Sequence, residues 1–214
     1  MSNILNEISQ NLQQGRAKAV KELVEQAVQE GVDAKTILEQ GLIAGMSVIG
    51  EKFKNNEVYV PQVLIAARAM KAGTEVLQPL LASSGVKAKG KVVIGTVRGD
   101  LHDIGKNLVK MMMEGKGLEV VDLGVDVPAD KFVEKAIEEK ADIVACSALL
   151  TTTMTEIKSV VDEIVKAGIR DKVTIMIGGA PVTDSFCKQI GADIYTPDAA
   201  TAAEAAVKAI SQTA

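Results

Sequence analysis

His102 is the only histidine in a chain of 214 residues, and it stands in the stretch GTVRGDLHDIGK, residues 95–106. A β-branched apolar run precedes this stretch and an amphipathic run follows, so the imidazole is expected on a strand-to-helix loop. Asp100 lies two residues before it, Asp103 directly after it, and Gly99 and Gly105 bracket the group. Three chemistries compete for such a loop. Asp100 or Asp103 could cap the following helix, with Gly105 permitting a tight turn. Backbone amides at the helix start could bind phosphate. The spacing, however, matches neither G-x-G-x-x-G nor G-x-x-x-x-G-K-[ST], and two carboxylates would repel an anion. Lastly, one imidazole nitrogen could ligate a metal while Asp100 accepts from the other and fixes the ring. A single histidine holds a free ion poorly. It suffices as one axial ligand where a macrocycle fills the other positions.

The elements that must position this loop fall into two groups. Up to about residue 84 the chain reads as helix after helix, with apolar stripes such as Val20, Leu23, Val24, Ala27 and Val28. A second stripe, Ile37, Leu38, Leu42, Ile43, Met46 and Ile49, opens at Asp33, a natural N-cap. A further run starts near Pro61, where proline is tolerated. Four helices with short connections predict a four-helix bundle over 1–84. ASSGVKAKG, residues 82–90, is small and polar and reads as a linker. From residue 90 to 214 the period changes. Five short β-branched runs alternate with helical patterns, which predicts a flavodoxin-like, doubly wound α/β domain with a five-stranded parallel sheet. In such sheets ligands bind outside the carboxyl ends of the strands, near the point where strand order reverses. The His102 loop, SALLTTT (147–153) and GGAP (178–181) all follow strands and converge on that edge.

Composition excludes several classes. A net charge of −4 and 2% aromatic residues offer neither a phosphate-neutralising surface nor stacking platforms, so nucleic acid is not an expected partner. Two distant cysteines, Cys146 and Cys187, with one histidine are too few for a structural zinc site. Cys146 lies in an apolar strand-like run and reads as an inert core thiol. The N-terminal residues lack the basic start and apolar core of a signal peptide, and no apolar run reaches the ~18 residues a membrane helix needs. A soluble cytoplasmic protein is the expectation.

Asp100-x-His102-x-x-Gly105, then Ser147-x-Leu149, then Gly178-Gly179, resembles the signature of cobalamin-binding domains that take the cofactor with its own base displaced and a histidine as lower ligand. The stretch GLIAGMSVIGEKFKNNEVYVPQVLIAARAMK is similar to the helical cap module of methionine synthase and of the corrinoid proteins of methyltransferase systems. The two modules together span nearly the whole chain. This resemblance implies that His102 ligates cobalt, that Asp100 holds it, and that Thr153, where methionine synthase has a serine, stands third in a proton relay. It implies further that Gly99, Leu101, Asp103, Ile104 and Gly105 line the cofactor. Ser147, Leu149, Thr151, Gly178, Gly179 and Ala199 would border the slot for its nucleotide tail. Tyr59 matches the position of a phenylalanine that shields the upper cobalt face, with Met46 and Met70 nearby. The implied activity is methyl transfer, cobalt cycling between Co(I) and methyl-Co(III). The implied partners are a substrate-specific methyltransferase, an acceptor methyltransferase using tetrahydrofolate or a thiol, and a corrinoid reductive activase. A cobalamin storage or sensor protein without methyl transfer is the alternative. A mutase would need a substrate barrel that this length cannot hold. A light-sensing regulator would need a DNA-binding domain and usually a cap tryptophan, and the chain has none.

Overall fold

Apolar residues recurring every three to four positions drive the first 80 residues into helices that bury one stripe each. The computed structural model describes residues 2–84 and 87–213. Helices α1 (Ser2–Gln13) and α2 (Ala17–Gln29) come first, and the next helix is continuous through three segments. It comprises α3 (Ala34–Thr36), a π-helical segment (Ile37–Ile43) and α4 (Ala44–Lys54), followed by the long α5 (Val60–Ser83). Asp33 does cap, its carboxylate accepting from the Thr36 N–H at 3.0 Å. From the predicted stripes Val20, Val24, Ala27, Ile37 and Leu42 are fully buried, and Val63 and Leu77 of α5 join them. The π segment is a departure from the uniform α-helix expected. Ile37 and Leu42 are five residues apart and both buried, a spacing that suits i→i+5 winding better than i→i+4. Within the linker expected at 82–90, α5 continues to Ser83, and residues 85 and 86 lie outside the described residues.

The remaining elements alternate strictly. They are β1 (Lys91–Thr96), α6 (Ile104–Gly115), β2 (Glu119–Asp122), α7 (Ala129–Glu139), β3 (Ile143–Ser147) and α8 (Met154–Lys166). β4 (Thr174–Gly178), α9 (Asp184–Ile190), β5 (Ile194–Tyr195) and α10 (Ala199–Thr213) complete the chain. The sheet is parallel throughout in the order β2-β1-β3-β4-β5, the flavodoxin-like winding. Val93, Val144, Cys146 and Ile175 pack with α7, α8 and α9 on one face, while alternate residues such as Val92 and Ile143 point to the other. β5 is shorter than its sequence pattern suggested, pairing only Ile194 and Tyr195 with β4. The strand order reverses between β1 and β3, so the loops after these two strands open the crevice where a ligand belongs. Chain contacts divide the protein into two units, Met1–Ala88 with Gly115–Gly117, and Lys89–Glu114 with Leu118–Ala214. Among the described residues no helix is long and apolar enough to cross a membrane. Cys146 and Cys187 are both buried and free, and burial pushes the Cys146 thiol up to about 12, which keeps it inert.

Candidate functional site

β1 ends at Thr96 and α6 starts at Ile104, which leaves seven residues to carry Asp100 and His102 across the crevice. Asp100 folds inward and is 0% exposed, whereas the His102 side chain remains 51% exposed. One Asp100 oxygen takes the His102 backbone N–H at 3.0 Å and meets ring atom Nδ1 at 2.8 Å. The other oxygen accepts from three groups on the loop after β3: Leu149 N–H at 2.7 Å, Leu150 N–H at 3.2 Å and the Thr153 hydroxyl at 2.8 Å. Burial alone would raise this carboxyl. The donors from His102, Leu149 and Thr153 outweigh it, so the group is held well below the usual carboxylate range and stays charged. A charged Asp100 accepts rather than donates, so the ring proton that faces it sits on Nδ1, and Nε2 is the nitrogen the carboxylate does not engage.

This geometry resolves the first alternative. Asp100 caps no helix, because all five of its donors lie in its own loop and the loop after β3. Asp103 is the residue before α6, with its carbonyl accepting from Asn107 N–H at 2.7 Å and its carboxylate from the Asn107 amide at 3.0 Å. Thr153 is buried, and its single proton has two acceptors within reach, Asp100 and the Leu150 carbonyl at 2.9 Å.

Parallel register aligns the rest of the floor. Thr96 pairs with Ser147 and Ser147 with Gly178, so the three end residues form one row across β1, β3 and β4. A Cβ added at Gly105 or Gly178 would meet nothing within 4 Å, so both leave open space. Gly105 lies in the first turn of α6 without a positive φ, so the tight-turn reading of this glycine is set aside. Gly179 differs. Its φ is +126° and an added Cβ would sit 1.8 Å from the Ala148 carbonyl oxygen, so packing within the protein already demands glycine there. Leu101 and Ile104 in the His102 loop and Leu149 after β3 are exposed apolar side chains, and Thr151 is exposed on the same loop as Leu149. Leu149 reaches Asp100 through its backbone, a contact its side chain type could not announce. Ala199 opens α10 with its side chain buried, so it offers only backbone to a ligand. Tyr59, Met46 and Met70 belong to the helical unit, and their roles rest on the resemblance. Tyr59 precedes α5 with its N–H bonded to Gln62 Oε1 at 3.0 Å and is 63% exposed, while both methionines are buried.

Three supporting residues were not legible beforehand. Thr96 donates its hydroxyl to the His102 carbonyl at 2.9 Å, Asp126 accepts from Gly99 N–H at 2.7 Å, and Leu150 supplies the amide already described. The turn-rich stretch LGVDVP after β2 was the available signal for Asp126.

The donor set decides which metal group fits. Among the described residues no cluster of three or more His, Cys, Asp or Glu could hold a free ion. One imidazole nitrogen left unengaged by the buried carboxylate that holds the other, on a half-exposed ring and in a loop with open space at Gly105, fits a metal already held in a macrocycle. Fold and site together define a cobalamin-binding α/β domain preceded by a helical unit. Residues 90–207 match the B12 binding domain family, and residues 4–78 match a second family described as a B12 binding domain. The chain belongs to the B12-binding corrinoid proteins. It is 47% identical to trimethylamine corrinoid protein 1 of Methanosarcina acetivorans over 81% of this chain and 82% of the relative. It is 40% identical to a corrinoid protein of Desulfitobacterium hafniense over 96% and 97%. Among solved structures it resembles the methanol:cobalamin methyltransferase complex MtaBC from Methanosarcina barkeri, with a TM-score of 0.87 and 33% identity over 97% of this chain and 80% of that one.

Proposed function

We propose that this protein carries methyl groups on a cobalamin whose own base is displaced and whose cobalt is held by His102. The methyl group comes from a substrate-specific methyltransferase and goes to an acceptor methyltransferase that uses a folate or a thiol. The observation that carries this reading is the Asp100–His102 pair at the switch point, with Nδ1 committed to the carboxylate. The names of the relatives, a trimethylamine corrinoid protein and a methanol:cobalamin methyltransferase complex, support the methyl-carrying part and point to small methylated donors. When bound, cobalamin supplies a cobalt centre that accepts and releases a methyl group. The chain's own residues do the rest. His102 Nε2 would hold the cobalt, and Asp100 would fix the ring by accepting from Nδ1. Thr153 steadies the far oxygen of Asp100 and completes the relay. Gly105 and Gly178 leave a path for the nucleotide tail. A reductive activase restores the protein after adventitious oxidation.

Two measurements test this. Electron paramagnetic resonance of the Co(II) holoprotein is expected to show hyperfine coupling to one imidazole nitrogen, and His102→Ala is expected to lose it. An unchanged signal in the variant overturns the ligand assignment. Methyltransferases for trimethylamine, dimethylamine and methanol, supplied singly, are expected to include one that methylates the holoprotein. Inert binding with all three overturns the carrier reading.

A further inference from the structure

The loop between β1 and α6 must keep His102 in one orientation although half of the imidazole faces solvent. The Asp100 side chain holds the ring, but that carboxylate is only as well placed as the backbone beneath it. Two residues outside the ligating motif grip that backbone. Asp126, in the loop after β2, makes a two-point contact with consecutive residues: its Oδ1 accepts from Gly99 N–H at 2.7 Å, and its own N–H donates to the Asp100 carbonyl at 3.0 Å. Thr96, fully buried at the end of β1, donates its hydroxyl to the His102 carbonyl at 2.9 Å. Its own N–H donates to the Gly124 carbonyl at 3.0 Å, which ties the same β2 loop down.

The backbone of Asp126 underlines the point. It adopts φ +54°, a left-handed conformation that non-glycine residues rarely take and aspartate tolerates better than most. Glycine would adopt it freely, yet glycine has no carboxylate to accept from Gly99. Such backbone persists where the surroundings over-determine it, and here the surroundings are the two hydrogen bonds to residues 99 and 100. Asp126 is an exposed residue on a loop, so it contributes little to the core.

We propose that Asp126 and Thr96 are positioning residues that clamp the Gly99–His102 backbone from its two ends and so set the direction of the imidazole toward the cofactor. The clamp rests on the reading of His102 as ligand for its consequence, but its geometry is testable without cofactor. Because the chain has one histidine, its imidazole gives a single set of nitrogen resonances, which report the tautomer in the cofactor-free protein. Asp126→Gly removes the acceptor while accommodating the backbone, and Asp126→Asn keeps both acceptor and backbone. The glycine variant is expected to retain or raise its urea midpoint, to show mixed tautomers, and to bind hydroxocobalamin about tenfold more weakly, in the range typical of groups that orient a metal ligand. The asparagine variant is expected to match the parent in all three. Thr96→Val and Thr96→Ser form a second pair, in tautomer and affinity the valine behaving as Asp126→Gly and the serine as the parent, while both lose some stability because Thr96 is buried. A parent-like tautomer and affinity in both Asp126→Gly and Thr96→Val would overturn the clamp, as would equal losses in Asp126→Asn and Asp126→Gly. If the Co(II) parent lacks nitrogen coupling, the ligand reading fails, and the tautomer measurement still decides the clamp.

Discussion

Asp100 has two oxygens and five donors, and that inequality governs its substitution. Asparagine presents one acceptor oxygen, so its amide must face either the His102 ring or the Leu149 and Thr153 donors, and one side becomes a donor–donor conflict. Asp100→Asn is expected to fold and to bind cobalamin about 10–100-fold more weakly. Equilibrium titration with hydroxocobalamin measures this, and equal affinity would remove Asp100 from its positioning role. The two glycine types separate just as sharply. Gly105 faces open space, so Gly105→Val is expected to keep its circular dichroism and to bind cobinamide, which lacks the nucleotide tail, better than cobalamin. Equal loss of both ligands would deny it a place beside the tail. Gly179→Ala instead drives a Cβ into the Ala148 carbonyl at positive φ, and is expected to lose about 3 kcal/mol or more in urea denaturation even without ligand. The motif named these glycines together. Only the space around each told them apart.

At the scale of elements, α6 is pinned to β2 by an ion pair that no sequence pattern singled out. Lys106 Nζ, on a side chain 2% exposed, lies 2.5 Å from Asp122 Oδ1, and Lys110 adds a second contact at 3.5 Å to the other oxygen. Gly124 N–H donates to the same Asp122 at 2.9 Å, which shapes the turn that leads to Asp126. Burial would raise Asp122, and the Lys106 ammonium, the Gly124 N–H and Lys110 together outweigh it, so the carboxyl is held below its ordinary value. Asp122→Asn leaves the Lys106 ammonium buried without its counter-charge, and is expected to cost about 3 kcal/mol. Lys106→Met leaves Asp122 with Lys110, Gly124 and partial solvent, and is expected to cost clearly less. Urea midpoints order the two, and the reverse order would show that the aspartate, not the lysine, is the costly partner to strand.

For the whole molecule the depressed carboxyls, among them Asp100 and Asp122, make acid the weak flank of the α/β unit. Asp100 and Asp122 both have folded values below the ordinary 3.8. Their stabilising contribution is therefore fully present above about pH 4 and is lost as pH falls further toward the folded values. Urea midpoints of the cofactor-free protein are expected to be level from pH 7 to 5 and to drop below pH 4. The drop is expected to be shallower in Asp100→Asn, which has one fewer group to protonate. An equally steep acid limb in that variant would show that Asp100 does not contribute to it.

What the sequence determined by itself was everything that repeats or stands alone. The switch from helical to alternating period at residue 90 announced a helical unit and a parallel α/β unit, because burying one stripe or both faces of a strand leaves a periodic trace. A solitary histidine after the first strand, with an aspartate two residues earlier, marked the loop as the candidate site but left cap, anion loop and metal ligand open until the resemblance to cobalamin-binding domains favoured the last. Tertiary structure decided what depends on groups distant in the chain. About fifty residues away, Leu149 and Leu150 meet Asp100 through backbone amides that no letter records, and Thr153 meets it through its hydroxyl. The two-residue β5, the π winding at Ile37–Ile43 and the grip of Thr96 and Asp126 on the loop share that cause. Each is set by which neighbour the fold brings within hydrogen-bond or packing distance.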